Sequence, residues 1–371
     1  MVAQWIPAFA GMTRALKGDA LAHVTMPDSI ATGWDLGGAH LKVAQIDGAG
    51  RLRTARQLPC TLWRGLDHLT EALAAARRQL LPSTRHGVTM TGELTDLFVD
   101  RGDGVRQLAE AMVAGFAAAE LRFYGGPAGF LPAAEAIARP REIASANWHA
   151  SVRFAASRRP SGLFIDIGST TTDIVPFRDG RVDAVGYSDD ERMASGELVY
   201  TGVTRTPVMV LADWVPFAGE RQPLMAEYFA TSADLHRLTG ALPDDADQLP
   251  SADGRGKSAE DSARRLARML GRDYDAARLE DWRRLARHLA ERQNRLVHDA
   301  ADRVLSRGLL ADDAPLLGAG IGRFLVRDLA VRLGRPYVDF ASLVSGDAAL
   351  CEWAARCAPA ASIAALMAAA G

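Results

Sequence analysis

Residues 33–38 read Gly-Trp-Asp-Leu-Gly-Gly, and residues 163–168 read Leu-Phe-Ile-Asp-Ile-Gly. Both are apolar runs that end in Asp-x-Gly, so Asp35 corresponds to Asp166 and Gly37 to Gly168. A second extended run follows each, Leu41–Ile46 and Thr172–Phe177, and then a Gly-rich reversal into a third, at Gly50 and Gly180. A strand, a glycine-bearing turn and a strand, used twice, restrict the chain to two related α/β halves whose turns face one cleft. Facing turns of this kind suit a phosphate group, because consecutive backbone N–H groups point at it and nearby carboxylates can hold its magnesium. A single such motif reads equally well as a Gly-rich hairpin turn; the pairing favours a site.

The candidates follow from that geometry. Gly37, Gly38 and Gly168 let a phosphate approach the backbone closely, and Ser169, Thr170 and Thr171 add hydroxyl donors. Asp35 and Asp166 end apolar strands, where a carboxylate needs a cation or donors; Asp173 is a third candidate ligand for magnesium. The competing reading for each is a carboxylate capping its own turn. Lys42 is either a point charge for the phosphate or a solvated strand-edge lysine. Glu93 and Asp96 follow a short strand, where a side chain either reaches into a cleft as a proton acceptor or caps a helix. Glu93 and Asp166 are the expected catalytic carboxylates. Glu197, Tyr200 and Arg205 lie in a polar stretch; Arg205 suits a diphosphate or a carboxylate, and a structural loop explains it equally well. Two lookalikes fail. Gly254–Ser258 imitates the end of a P-loop, but Ser251 occupies the first glycine position. Gly318–Gly322 imitates a dinucleotide fingerprint whose third glycine comes one residue early.

Along the chain, strand-like runs at 31–36, 41–47 and 51–58 precede a helix at about 65–81. A strand at 86–91, a helix capped by Asp103, a strand at 121–124 and a helix at 141–158 complete the first half. Pro160-Ser-Gly punctuates the chain, and the three-strand pattern restarts at 162–187. Residues 240–258 lack periodicity and read as a loop, 259–271 and 275–308 as helices, and the Ala-rich tail as two helices broken at Pro359. The expected division is 26–159 and 160–371, with a helical insertion at about 225–310. Residues 1–25 lack a sustained period and make a poor signal peptide, so the natural start is expected at Met26 with the preceding stretch disordered.

A net charge of −2 gives no reason to expect a nucleic-acid partner, and no apolar run is long enough to span a membrane. Three cysteines, Cys60, Cys351 and Cys357, without metal spacing point to buried thiols in a reducing, cytoplasmic compartment.

Asp35–Lys42 and Phe164–Asp173 resemble the two phosphate motifs of the actin, sugar-kinase and Hsp70 superfamily. Leu316–Gly322 is similar to its later glycine-rich segment, which touches adenosine in nucleotide-using members; this puts Gly318 and Gly320 among the cofactor-binding candidates. More narrowly, Met90–Asp96, Ile165–Val175, Ser195–Pro207 and Ala252–Lys257 resemble the hydantoinase/oxoprolinase-like proteins of tetrahydromethanopterin-linked one-carbon metabolism. Archaeal members of that group include a furan-methanamine synthase of methanofuran biosynthesis. The resemblance implies duplicated ribonuclease-H-like domains of the actin-like ATPase type with a cleft between them. It also implies a magnesium-dependent transferase acting on small molecules: a furan diphosphate and a tyramine- or tyrosine-derived phenol. ATP is compatible with the fold and not required by that chemistry. An ATP-dependent kinase or amidohydrolase, and a non-catalytic nucleotide-sensing scaffold, remain alternatives.

Overall fold

The computed structural model describes residues 30–116 and 119–370. The expectation for residues 1–25 lies outside the described residues.

The first half is a six-stranded sheet of β1 (Ala31–Leu36), β2 (His40–Ile46), β3 (Leu52–Pro59), β4 (Arg85–Met90), β5 (Glu120–Tyr124) and β6 (Phe130–Pro132). Its order is β3-β2-β1-β4-β5-β6, with β1–β2–β3 an antiparallel meander and β4 and β5 parallel to β1. Helices α1 (Leu66–Arg77) and α2 (Arg101–Gly115) cross between strands, and α3 (Ala133–Ala138), α4 (Pro140–Ile143) and α5 (Asn147–Arg158) lead to the second half. The true N-cap of α2 is Asp100, whose carboxylate accepts from the Asp103 N–H; the expected cap, Asp103, lies inside the first turn. The expected single helix over 141–158 is broken at Ser145, which adopts φ 52°.

The second half repeats the plan. β7 (Ser161–Ile167), β8 (Thr172–Arg178), β9 (Arg181–Val182), α6 (Asp189–Ser195) and β10 (Leu198–Val199) come first. The hairpin β11 (Trp214–Phe217) and β12 (Glu220–Pro223), then α7 (Ser232–Leu238), α8 (Ala259–Met269) and α9 (Leu279–Leu305), form an inserted unit. β13 (Leu316–Ala319), α10 (Arg323–Arg332), β14 (Tyr337–Asp339), α11 (Ala348–Arg356) and α12 (Ala358–Ala369) close the chain. The sheet order is β10-β8-β7-β13-β14, again antiparallel then parallel about the strand that ends in Asp-x-Gly. The two halves are therefore a duplicated ribonuclease-H-like pair, an actin-like fold.

Three boundaries differ from expectation. The third strand of the second meander is two residues long, because β10 takes the other end of the β8 edge. The insertion begins near Val208 rather than 225, since Val208, Val215 and Phe217 pack with Leu266, Trp282 and Leu289 in one core. Pro359 lies in the first turn of α12 rather than between helices, a place where its missing N–H costs nothing.

The division at residue 160 also needs correction for the tail. α12 packs on β1, β2 and β4 of the first sheet and on α5, and this helical layer shares one core with Phe164 and Phe177 of the second sheet. Gly33 permits the approach: a Cβ there would stand 2.1 Å from the Ala360 carbonyl oxygen and 2.4 Å from the Ala364 nitrogen. Backbone cannot yield as a flexible side chain does, so Gly33→Ala should lift α12 and cost about 3 kcal/mol, at the upper end of overpacking effects. Urea unfolding measures this; an unchanged midpoint would contradict the packing.

Candidate functional site

The register of the two hairpins builds the site. Asp35 lies opposite Lys42 across β1–β2, and Asp166 lies opposite Asp173 across β7–β8. Each turn closes the same way: the Gly37 N–H donates to the His40 carbonyl at 3.0 Å, and the Gly168 N–H to the Thr171 carbonyl at 2.9 Å. The equivalent cross-strand position is thus a cation in one half and a carboxylate in the other.

In the first hairpin Lys42 Nζ meets Asp35 Oδ2 at 3.2 Å, while the buried Asp35 Oδ1 has no partner among the described residues. Burial alone would lower the Lys42 pKa, but Asp35 and then Asp166 outweigh it and hold the ammonium above its ordinary range. In the second hairpin two carboxylates face each other, an unfavourable pairing. Asp173 is rescued by Arg192, fully buried, whose Nη2 donates to Asp173 Oδ1 at 2.8 Å and whose guanidinium lies 4.1 Å over the Trp148 ring. Burial still holds the Asp173 carboxyl above its usual range. Among the described residues Asp166 has no such ion pair. Desolvation, opposed by Lys42 and reinforced by Asp173 and Asp35, pushes it up to about 7.

Asp35, Asp166, Lys42 and Asp173 are therefore one electrostatic cluster between the halves. Among the described residues no three carboxylate, histidine or cysteine side chains converge as a ready metal cage. The expected trio Asp35, Asp166 and Asp173 is corrected accordingly: Asp173 is committed to Arg192. The orphaned Asp35 Oδ1 and the under-compensated Asp166 do fit a cation held by one or two carboxylates, waters and phosphate oxygens.

Around them, Ser169 and Thr170 occupy the turn, and the Ser169 carbonyl accepts from the Thr204 and Arg205 N–H groups. Gly202 allows this loop to close, because a Cβ there would lie 2.4 Å from the Thr170 nitrogen. Arg205 reaches the turn through Nη1 to Thr170 Oγ1 at 3.3 Å. Gly320, at φ 81°, packs so tightly that a Cβ would stand 2.3 Å from Asp166 Oδ1. Gly318, expected beside it as a ligand contact, instead packs within β13 against the Tyr337 ring.

Several candidates are placed elsewhere. Glu197 is a buried clamp that accepts from the Val185 and Gly186 N–H groups and pairs with Arg307. Tyr200 and Asp96 are exposed. Glu93 is 1% exposed and its Oε1 accepts from Ser145 Oγ at 2.8 Å. Burial raises its pKa, with the Ser145 bond opposing. A base must reach the proton it removes, and this carboxyl is buried with one oxygen bonded to Ser145 and the other without a partner among the described residues, while the Glu93 backbone packs on Gly104 of α2. Since burial favours its neutral form, Glu93→Gln should keep turnover within about threefold, an effect under 1 kcal/mol on the barrier. A hundredfold loss would return Glu93 to the chemistry.

Sequence reasoning missed His40. It is buried in the first turn, its Nε2 has no partner among the described residues, and burial with Lys42 and Arg205 nearby brings its pKa down to about 3. Its place directly after Gly37-Gly-Ala was the available signal. Trp63 and Tyr228, on a cavity beside Arg205, carry no motif and had none to give.

The hydantoinase/oxoprolinase family model matches residues 85–358. The furan-2-yl methanamine synthase of Methanocaldococcus jannaschii, named for a product with a γ-glutamylaminoethyl-phenoxymethyl group, is 28% identical over 297 residues, 80% of this chain and 87% of that protein. A like-named synthase of Methanococcus vannielii is 32% identical over 113 residues, 30% of this chain and half of that protein. Among solved structures, nucleotide-free acetone carboxylase covers 83% of this chain and 68% of its own at TM-score 0.52 and 11% identity, a likeness of fold.

Proposed function

Since the chain belongs to the hydantoinase/oxoprolinase family, we propose that it is a biosynthetic transferase which joins an aminomethylfuran diphosphate to a tyramine- or tyrosine-derived phenol and releases pyrophosphate. The observation that carries this reading is the Asp166–Asp173 pair set beside Asp35–Lys42, a cluster short of positive charge at two facing phosphate turns. The relative that shares most of the chain's length is named for a product in which a phenol oxygen is bonded to a furanylmethyl carbon.

In this reading the bond between the furanylmethyl carbon and the diphosphate oxygen breaks, with the electron pair leaving on pyrophosphate. The electron-rich furan delocalises the positive charge left on the methylene. The phenol oxygen bonds to that carbon and gives up its proton, which the departing pyrophosphate takes. Asp35 and Asp166 would hold magnesium, which when bound supplies charge for the departing pyrophosphate. Lys42 adds a fixed positive charge, and the N–H groups and hydroxyls of Gly37–Gly38 and Gly168–Thr171 supply donors that need no reorganisation. The protein's remaining task is to place phenol and methylene in contact.

The test is to incubate the protein with the furan diphosphate, magnesium and each phenolic partner, following pyrophosphate and ether together. One pyrophosphate per ether supports the transferase; ether formation that consumes ATP, or no ether with any partner, removes it.

A further inference from the structure

A cavity of about 230 Å³ lies between the halves, next to the second phosphate turn. Its first wall is Trp63 and Arg64, from the short turn that follows β3; its second is Arg205; its far side is Tyr228, Asp234 and Arg237 of the inserted unit. The volume suits a single ring with a short tail. Trp63 and Tyr228 are large aromatic side chains left substantially exposed there, on one cavity wall each, where a planar ring could stack.

The charges are unevenly spent. Asp234 is held by Arg265 at 2.7 Å and by Arg237 at 3.3 Å. Asp247, also on the wall, is held by Arg237 at 2.7 Å and Lys257 at 3.3 Å. Both lining carboxylates are thereby neutralised from behind. Among the described residues, neither Arg64 nor Arg205 forms an ion pair. The Arg205 guanidinium lies 5.2 Å over the Trp63 ring and reaches Thr170 of the phosphate turn. The cavity thus offers two aromatic side chains and two guanidinium groups without an ion pair among the described residues, and Arg205 links it to the second phosphate turn.

We propose that this cavity binds the phenolic partner and selects one whose tail carries a carboxylate, held by Arg64 with Arg205 adding a second positive charge, while the ring lies against Trp63 and Tyr228. The identity of the phenol rests on the transferase reading; the demand for a carboxylate rests on the cavity alone. It distinguishes the two partner types, since tyrosine and γ-glutamyltyramine carry a carboxylate and tyramine does not. Guanidinium recognises carboxylate with paired donors, and one such charge-assisted contact is the usual source of discrimination of this kind.

The experiment is calorimetric titration of the full chain, saturated with magnesium and pyrophosphate, with tyrosine, γ-glutamyltyramine and tyramine. At least one carboxylated phenol should bind about tenfold more tightly than tyramine, a difference of about 1.4 kcal/mol. In Arg64→Met, whose side chain is exposed and whose thermal midpoint serves as the folding control, that preference should fall below about threefold. Two results overturn the proposal: tyramine binding as tightly as both carboxylated phenols, or a preference that survives Arg64→Met. A carboxylate preference without pyrophosphate release, once the furan diphosphate is added, supports the cavity assignment and removes the transferase reading instead.

Discussion

Asp166→Asn should lower turnover about a thousandfold, the scale on which removal of a preorganised charge-stabilising group acts, yet make the metal-free protein more stable at pH 8. The carboxyl stands at about 7 in the folded protein against an ordinary 3.8, so the folded state holds its proton more tightly than the unfolded chain does. Between about pH 4 and pH 7 the native state therefore binds more protons than the unfolded state, and its stability falls as pH rises. Asn removes that dependence. With chelator present, the advantage of the variant should be small near pH 4, grow to pH 7, and level off at roughly 2–4 kcal/mol above it. Magnesium should raise the thermal midpoint of the wild type at pH 8 and leave the variant unmoved. A variant that loses stability and activity together across the whole pH range would make Asp166 a structural residue.

Arg265→Met should cost about 4 kcal/mol of stability, as breaking a buried ion pair from one side does. The guanidinium is fully buried and donates through Nε and Nη2 to Asp234 Oδ1, at 2.9 and 2.7 Å, and through Nη1 to Asp253 at 3.0 Å. These contacts tie α7 to the 247–258 loop and hold the far wall of the cavity. Methionine keeps most of the apolar stem and leaves the buried Asp234 with Arg237 alone, at 3.3 Å. Adding Asp234→Asn should then recover about half of the loss, because the charge left with only Arg237 for a partner disappears with it. Urea unfolding of the three variants tests this; a double variant no more stable than Arg265→Met would put the cost in packing rather than charge.

The fold was legible because the informative pattern is local. Asp-x-Gly after an apolar run fixes a strand end and a turn, and its recurrence at Asp166 fixes the duplication. The first meander's strand boundaries came within a residue or two for the same reason, whereas the short β9 and the β11–β12 hairpin did not. The tail was misplaced because nothing in an Ala-rich helix says which sheet it packs on. That depends on Gly33, more than three hundred residues away. The placement of Asp35 opposite Lys42 and of the two matching turns was legible. The site was not legible at Arg192, whose role as the Asp173 counter-charge arises only once α6 folds beneath β8 and Trp148 stacks on it. Glu93 attracted a catalytic role because it follows a strand end in sequence, whereas its side chain turns inward to Ser145.

The most direct test of the account is a titration of the purified protein with pyrophosphate at pH 8, with and without magnesium, in the wild type and in Asp35→Asn and Asp166→Asn. The account predicts one pyrophosphate per chain, bound only with magnesium, and loss of that binding in both variants while each remains folded. Equal binding without magnesium, or wild-type binding by either variant, would contradict a single magnesium–diphosphate site between the two hairpin turns.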